Sequence, residues 1–101
     1  WVPDLSNNWV VVNNQLRSNS SVASSSFYIS TPSIKATSAR WEFWVNLQFN
    51  TSSANYVDVY LISEQSNLNS LTNNGYFVRI GGTPDEVSLY KMTNGTTSQL
   101  I

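Results

Sequence analysis

The chain has 101 residues, with five Lys or Arg against six Asp or Glu and a formal net charge of −1. This length fits one domain, residues 1–101, and the lack of a basic field disfavours nucleic-acid binding, which requires cations that displace counterions from phosphates. The chain contains no Cys and no His, which excludes Ser-His-Asp and Cys-His nucleophiles and the usual zinc sites.

Short β-branched and aromatic runs predict strands in the first third of the chain. Trp9–Val12 and Gln15–Ser18 flank Asn13-Asn14, which predicts a tight hairpin because Asn tolerates a positive φ. Residues 27–31 form another apolar run. Pro32 ends it, since Pro cannot donate a hydrogen bond to a ladder.

The longest alternation of apolar and polar residues is at 41–49, where Trp41, Phe43, Val45, Leu47 and Phe49 alternate with polar residues and Trp44. Period-two alternation predicts a strand with one dry face, and we expect this strand to be central. Residues 50–55 are a polar cluster of hairpin-loop length, and residues 56–63 predict the partner strand. On that partner, Val57, Val59 and Leu61 are expected on one face and Tyr56, Asp58, Tyr60 and Ile62 on the other.

The last third predicts a loop and a further set of strands. Residues 64–74 are polar apart from Leu68 and Leu71, which are expected to pack within a short helical turn of the loop. Strands are predicted at 75–81 and 86–92, and Asn94-Gly95 predicts a hairpin to a returning strand that begins at Thr97.

Seven or eight short strands with turn signals every 8 to 12 residues predict an all-β fold, an antiparallel β-sandwich. The hairpin at Asn94-Gly95 leaves no strand to complete a sheet. We therefore expect a domain that is incomplete at its C-terminus, a fragment of a longer domain or protein, or an edge filled by a neighbouring chain. An uncovered edge of this kind associates readily.

Four segments carry a family resemblance: residues 39–45, 55–61, 74–81 and 85–90. The sequence resembles the β-sandwich module near the N-terminus of large secreted surface proteins of Bacteroidetes-type bacteria, which often carry lamin-tail-like and C-terminal sorting domains. That module is similar in strand order to concanavalin A-like jelly rolls. The resemblance implies a jelly roll, an extracellular or cell-surface location, and adhesion or glycan contact. Glucanases of this fold use a Glu-x-Asp-x-x-Glu strand. Here Glu42 is the only acid on the equivalent-looking strand, so that activity is not implied.

The mixed face of the two central strands is a candidate sugar site. Aromatic rings stack on the C–H face of a sugar while amides and charged groups bond its hydroxyls. The candidates are Trp44, Asn46, Gln48, Asp58, Tyr60 and Arg79. The alternative is a packed face on which Arg79 pairs with Asp58 or Glu42 in a structural ion pair.

No enzyme is predicted, and the only cofactor considered is Ca²⁺. Glu42 and Asp58 form the one carboxylate pair expected on adjacent strands, and with Arg79 nearby neither is expected to have the raised pKa of a general acid. Asp85 and Glu86 are weak Ca²⁺ candidates beside two glycines, and the alternative is an ordinary solvated turn.

Three Asn-x-Ser/Thr sequons, at Asn19, Asn50 and Asn94, are possible glycosylation sites. Of the four Trp residues, Trp1, Trp9 and Trp41 are expected to be core anchors and Trp44 is the exception. No apolar run approaches the ~18 residues that span a bilayer, so membrane insertion is not predicted.

Two functions fit these observations. The first is a non-enzymatic extracellular structural or adhesion module, a building block of a bacterial surface adhesin or fibre, whose partners are copies of itself or neighbouring domains joined by strand addition. Its low charged fraction, 11%, and its 17 Ser, 8 Thr and 13 Asn residues suit such packing. The alternative is a glycan-binding, lectin-like module.

Overall fold

The computed structural model describes residues 1–101 and is all-β with antiparallel sheets, as predicted, apart from one 3₁₀ turn at Ser6–Asn8. No helix in it is both long enough and apolar enough to cross a membrane. The strands are β1 (Val2–Pro3), β2 (Trp9–Val12), β3 (Gln15–Ser18), β4 (Ile29–Ser30), β5 (Tyr56–Ser63), β6 (Gly75–Gly81), β7 (Glu86–Thr93) and β8 (Thr96–Gln99). They form three sheets: β1 with β4, β2 with β3, and β5-β6-β7-β8 in that order.

Two hairpins are closed by the residues that the sequence indicated. Asn13 and Asn14 have φ values of 51° and 61° between β2 and β3, and Asn94 and Gly95 have φ values of 46° and 72° between β7 and β8. Positive φ at both central residues is the turn whose twist matches the flanking strands, and Asn and Gly adopt it at least cost. Both hairpin predictions are confirmed.

The small β1–β4 sheet contains a strand that the sequence analysis missed and a shorter one than it predicted. Only Ile29–Ser30 of the predicted strand 27–31 is paired, and its partner is Val2–Pro3. Next to it, Trp9 packs edge-on against Phe27 with ring centroids 5.3 Å apart. The indole Nε1 of Trp9 donates to the Tyr28 carbonyl at 2.9 Å, which ties β2 to the segment before β4.

The four-stranded sheet presents two chemically different faces. Residues paired across the strands share a face, so the register assigns each side chain. The aromatic face carries Asp58, Tyr60, Phe77, Arg79, Ser88 and Tyr90. The aliphatic face carries Val57, Val59, Val78, Ile80, Val87 and Leu89.

A β-bulge at Leu61 changes the predicted faces of β5. The register shifts between Tyr60, which pairs with Phe77, and Ile62, which pairs with Tyr76. The extra residue reverses the alternation. Ile62 therefore lies with the aliphatic face, and the prediction that it shares a face with Tyr60 is wrong.

The segment Trp41–Phe49 is not a strand in this structure, and the prediction of a central strand there is wrong. None of its backbone groups takes part in a backbone–backbone hydrogen bond. Exposure follows the alternation only at the centre of the segment, where Val45 and Leu47 are half-buried and Trp44 is 73% exposed. The other apolar members of the pattern, Trp41, Phe43 and Phe49, are exposed. Alternation specifies which side chains share a side, but it specifies no hydrogen-bonding partner.

Little of the chain is buried. Seven of 101 residues are buried, and Phe77, at 0% exposure, is the only large apolar side chain among them. Trp1 and Trp41 remain exposed, so their predicted role as core anchors is wrong, whereas Trp44 is exposed as predicted. Leu71 is 87% exposed and does not pack within its loop as predicted.

Candidate functional site

The centre of the aromatic face is an ion pair between two neighbouring strands. Asp58 and Arg79 are directly opposed on β5 and β6. The Arg79 guanidinium donates through Nε to Asp58 Oδ1 and through Nη2 to Oδ2, both at 2.8 Å. This bidentate bond raises the pKa of Arg79 above its usual value, although partial burial works in the opposite direction. The structure thus contains the pair that the alternative to a sugar site predicted.

Aromatic rings surround that ion pair. The Arg79 guanidinium carbon lies 3.8 Å from the ring centroid of Tyr56, a close cation–π contact. The rings of Tyr60, Phe77 and Tyr90 form a row across three strands, with successive centroids 5.0 Å and 5.2 Å apart. Arg79 is therefore fixed both by its carboxylate partner and by the rings.

Tyr60 closes the row on the side of the 64–74 loop. Its hydroxyl donates to the Leu68 carbonyl at 3.4 Å. Burial of the phenol, reinforced by the negative charge of Asp58, raises the pKa of Tyr60 to about 12 from 10.0. Both effects oppose formation of a phenolate.

We expect Tyr60 to make the stability of the fold fall in strongly alkaline solution. Its folded-state pKa is raised, so its contribution is fully present below pH 10 and is lost as the pH rises to about 12. A spectrophotometric titration should show one of the five tyrosines ionising last, near pH 12. Tyr60→Phe should remove that late step, and a late step that persists in this variant would assign it to another ring.

A shallow depression of about 210 Å³ adjoins the ion pair at the turn after β6. Its lining includes Tyr56, Arg79, Glu86, Ser88 and Tyr90. The Glu86 carboxylate accepts from the Ser88 hydroxyl at 2.7 Å and from Gln99 Nε2 at 3.1 Å. The polar groups here bond to one another, and the volume is below the ~300–1,000 Å³ of typical small-molecule sites.

Only three of the six residues of the predicted sugar site lie together in the structure. Asp58, Tyr60 and Arg79 share the aromatic face. The other three candidates, Trp44, Asn46 and Gln48, lie on the unpaired segment, are exposed, and make no side-chain hydrogen bond or aromatic contact with that face. The expected neighbourhood of Glu42 is also wrong, because Glu42 pairs with Arg40 at an exposed position rather than lying beside Asp58.

The two Ca²⁺ candidates, Asp85 and Glu86, form hydrogen bonds with different residues. Asp85 has a φ of 58° and accepts from the Thr51 hydroxyl, while Glu86 accepts from Ser88 and Gln99. No group of three carboxylates gathers around them. All three sequon residues, Asn19, Asn50 and Asn94, are exposed.

Two residues that line the site, Tyr56 and Tyr90, were not among the predicted site residues, and Glu86 was predicted only as a Ca²⁺ candidate. A signal was present in β7, where Glu86, Ser88 and Tyr90 alternate with aliphatic residues. β7 pairs with β6 in a register that sets Ser88 opposite Arg79. The alternation therefore places the side chains of Glu86, Ser88 and Tyr90 on the face of the ion pair. The register was the missing information.

Comparison with family models, curated proteins and solved structures gave no match. The strand pairing by itself defines the class, an all-β protein of antiparallel sheets. The resemblance to bacterial surface modules stays a prediction.

Proposed function

We propose that this chain is a non-enzymatic structural module, a building block of an extracellular surface adhesin or fibre, which assembles by strand addition. The observation that carries the proposal is the segment Trp41–Phe49, which has the alternation of a strand and no backbone partner. A β-sandwich of the jelly-roll type is the arrangement we propose for the assembled state, in which added strands cover the exposed apolar side chains.

The apolar side chains of this segment favour such an assembly. Trp41, Phe43 and Phe49 are 41%, 46% and 46% exposed. Large aromatic rings dominate interface energetics when they become buried. Contiguous exposed apolar side chains mark interaction sites more often than isolated ones do. A chain with a small core has most to gain from covering them.

The four-stranded sheet offers edges to which a strand can be added. β5 and β8 each have one neighbour, so one side of each carries unpaired N–H and C=O groups. Natural edges are usually blocked by Lys, Pro or a bulge. β5 contains no Lys and no Pro, and its single bulge lies near its end, at Leu61.

The low charge of the chain supports the same function. With 11% charged residues against roughly 25% in average soluble domains, copies repel one another weakly. Short hydroxyl and amide side chains cover strand surfaces without net charge. An extracellular location is proposed on this composition together with the resemblance to secreted surface modules.

Gln48→Pro is expected to abolish self-association and to leave the monomer fold intact. Position 48 makes no backbone hydrogen bond in the isolated chain, so proline costs the monomer little. Proline cannot donate to a ladder, however, and it blocks strand addition. Sedimentation velocity over a concentration series should show oligomers of the unmodified chain and monomers of the variant. At dilutions where both are monomeric, their circular dichroism spectra should agree.

Ala36→Pro is the matched control. Ala36 is exposed and is the second residue of the turn in which the Ser38 amide donates to the Lys35 carbonyl, a position that favours proline. This variant should assemble like the unmodified chain. A wild-type protein that stays monomeric at high concentration, or equal assembly of Gln48→Pro, would contradict the proposed function.

A further inference from the structure

We infer that the free edge of β5 is the docking surface for Trp41–Phe49 of a second copy of this chain. This inference rests on the proposed function and specifies its partner and its surface. β5 has one neighbour, β6, so no strand is hydrogen-bonded to its outer side along its eight residues. The donor segment has nine residues and no backbone partner. The two unsatisfied stretches therefore match in length.

β5 is the better of the two free edges. β8 has four residues, Thr96–Gln99, all polar and exposed. β5 instead borders the aliphatic face through Val57 and Val59, which pair with Ile80 and Val78. A strand that brings apolar side chains to this edge extends an existing apolar row. Cross-strand contacts of that kind are what stabilise a sheet.

The turn before β5 opposes docking of the segment within its own chain. Ser52 and Asn55 form an antiparallel bridge with two mutual backbone hydrogen bonds at 3.0 and 3.1 Å. Continuing this register backwards sets Phe49 opposite Asp58 and Gln48 opposite Val59. The amide side chain would then join the aliphatic face, and the aromatic ring would meet the ion pair.

Shifting the segment by one residue along β5 removes this mismatch, because side chains along a strand alternate between the two faces. The two-residue turn fixes the register within one chain, so the shift there would require an additional bulge. A segment from a second copy has no such constraint. Antiparallel pairing of Leu47 with Val59 then places Phe49 beside Val57, and apolar side chains meet on the aliphatic face.

The exchange can be reciprocal. Each copy carries one donor segment and one acceptor edge, so two copies related by a two-fold axis satisfy both pairs at once. Each donor then covers the edge that its partner exposes. The product is a closed dimer, whereas exchange with different copies on the two sides produces an open chain.

Engineered cysteines can test the pairing, because the chain has no cysteine of its own. A ¹⁵N-labelled chain with Leu47→Cys is mixed with an unlabelled chain with Val59→Cys, and intact mass identifies the mixed disulfide. A disulfide requires Cα atoms within ~7 Å. Under mild oxidation we expect Leu47→Cys to cross-link to Val59→Cys about tenfold more than Gln48→Cys does, since only the first pair faces the same side.

Each outcome separates the inference from the proposed function. A disulfide within one chain of the Leu47→Cys/Val59→Cys double variant, in the monomer, would overturn docking between copies. A second outcome is that oligomers form without the mixed disulfide and without concentration-dependent protection of β5 amides from hydrogen exchange. Assembly by strand addition would then remain possible, but the β5 edge would not be the docking surface. Absence of any oligomer would reject both.

Discussion

Phe77→Ala is expected to lower the free energy of unfolding by roughly 3–5 kcal/mol, the usual cost of removing a fully buried aromatic side chain. Phe77 is 0% exposed, and its ring lies between those of Tyr60 and Tyr90. No other large apolar side chain is buried in the chain. Small domains have only ~5–15 kcal/mol in total, so this variant should lose a large share of its stability. Urea unfolding followed by far-ultraviolet circular dichroism measures the loss.

Phe43→Ala is the matched control. Phe43 is 46% exposed and stacks on no other ring, and its segment carries no backbone hydrogen bonds. In the monomer the change should stay within ~1 kcal/mol. Comparable losses in the two variants would mean that Phe77 does not anchor the sheet. The comparison must be made at low concentration, because Phe43 is proposed to become covered on assembly.

Elements defined by local chemistry could be predicted from the sequence. Asn13-Asn14 and Asn94-Gly95 select a turn through the few residues that tolerate positive φ. Strand β6 matches its predicted bounds, residues 75–81, because an apolar run there lies between glycines. The candidate pair of Asp58 and Arg79 followed from alternation on two strands, although the neighbour predicted for β5 was residues 41–49 and not β6.

Elements that depend on register could not be predicted. The bulge at Leu61 adds one residue without any residue type that marks it, and it moves Ile62 to the opposite face. The alternation in Trp41–Phe49 is genuine, but a strand also needs a partner in the matching register. The turn at Ser52–Asn55 sets a register that differs by one residue from the matching one and so places the apolar side chains on the wrong face. For the same reason, the three sugar-site candidates on that segment, Trp44, Asn46 and Gln48, do not join the aromatic face.

Arg79→Ala should destabilise the fold by about 2–3 kcal/mol, somewhat less than the cost of breaking a fully buried ion pair. The side chains of Arg79 and Asp58 are 22% and 19% exposed, so the Asp58 carboxylate left behind would be only partly hydrated. Arg40→Ala is the control, because Arg40 and Glu42 form a pair that is 85% and 72% exposed. Such surface pairs contribute little, and urea unfolding should not distinguish that variant from the unmodified chain.

The stabilities of further variants distinguish a structural role of Arg79 from a ligand-binding role. Lysine keeps the charge but lacks the planar fork and the stacking surface, so Arg79→Lys should recover only part of the loss. The double variant Asp58→Leu/Arg79→Met removes both charges and should be more stable than Arg79→Ala, since no unpaired carboxylate remains. A structural pair requires this order of stabilities. If Arg79→Ala were as stable as the unmodified chain, the guanidinium would be free to bind, and the glycan-binding alternative would become the stronger interpretation of the aromatic face.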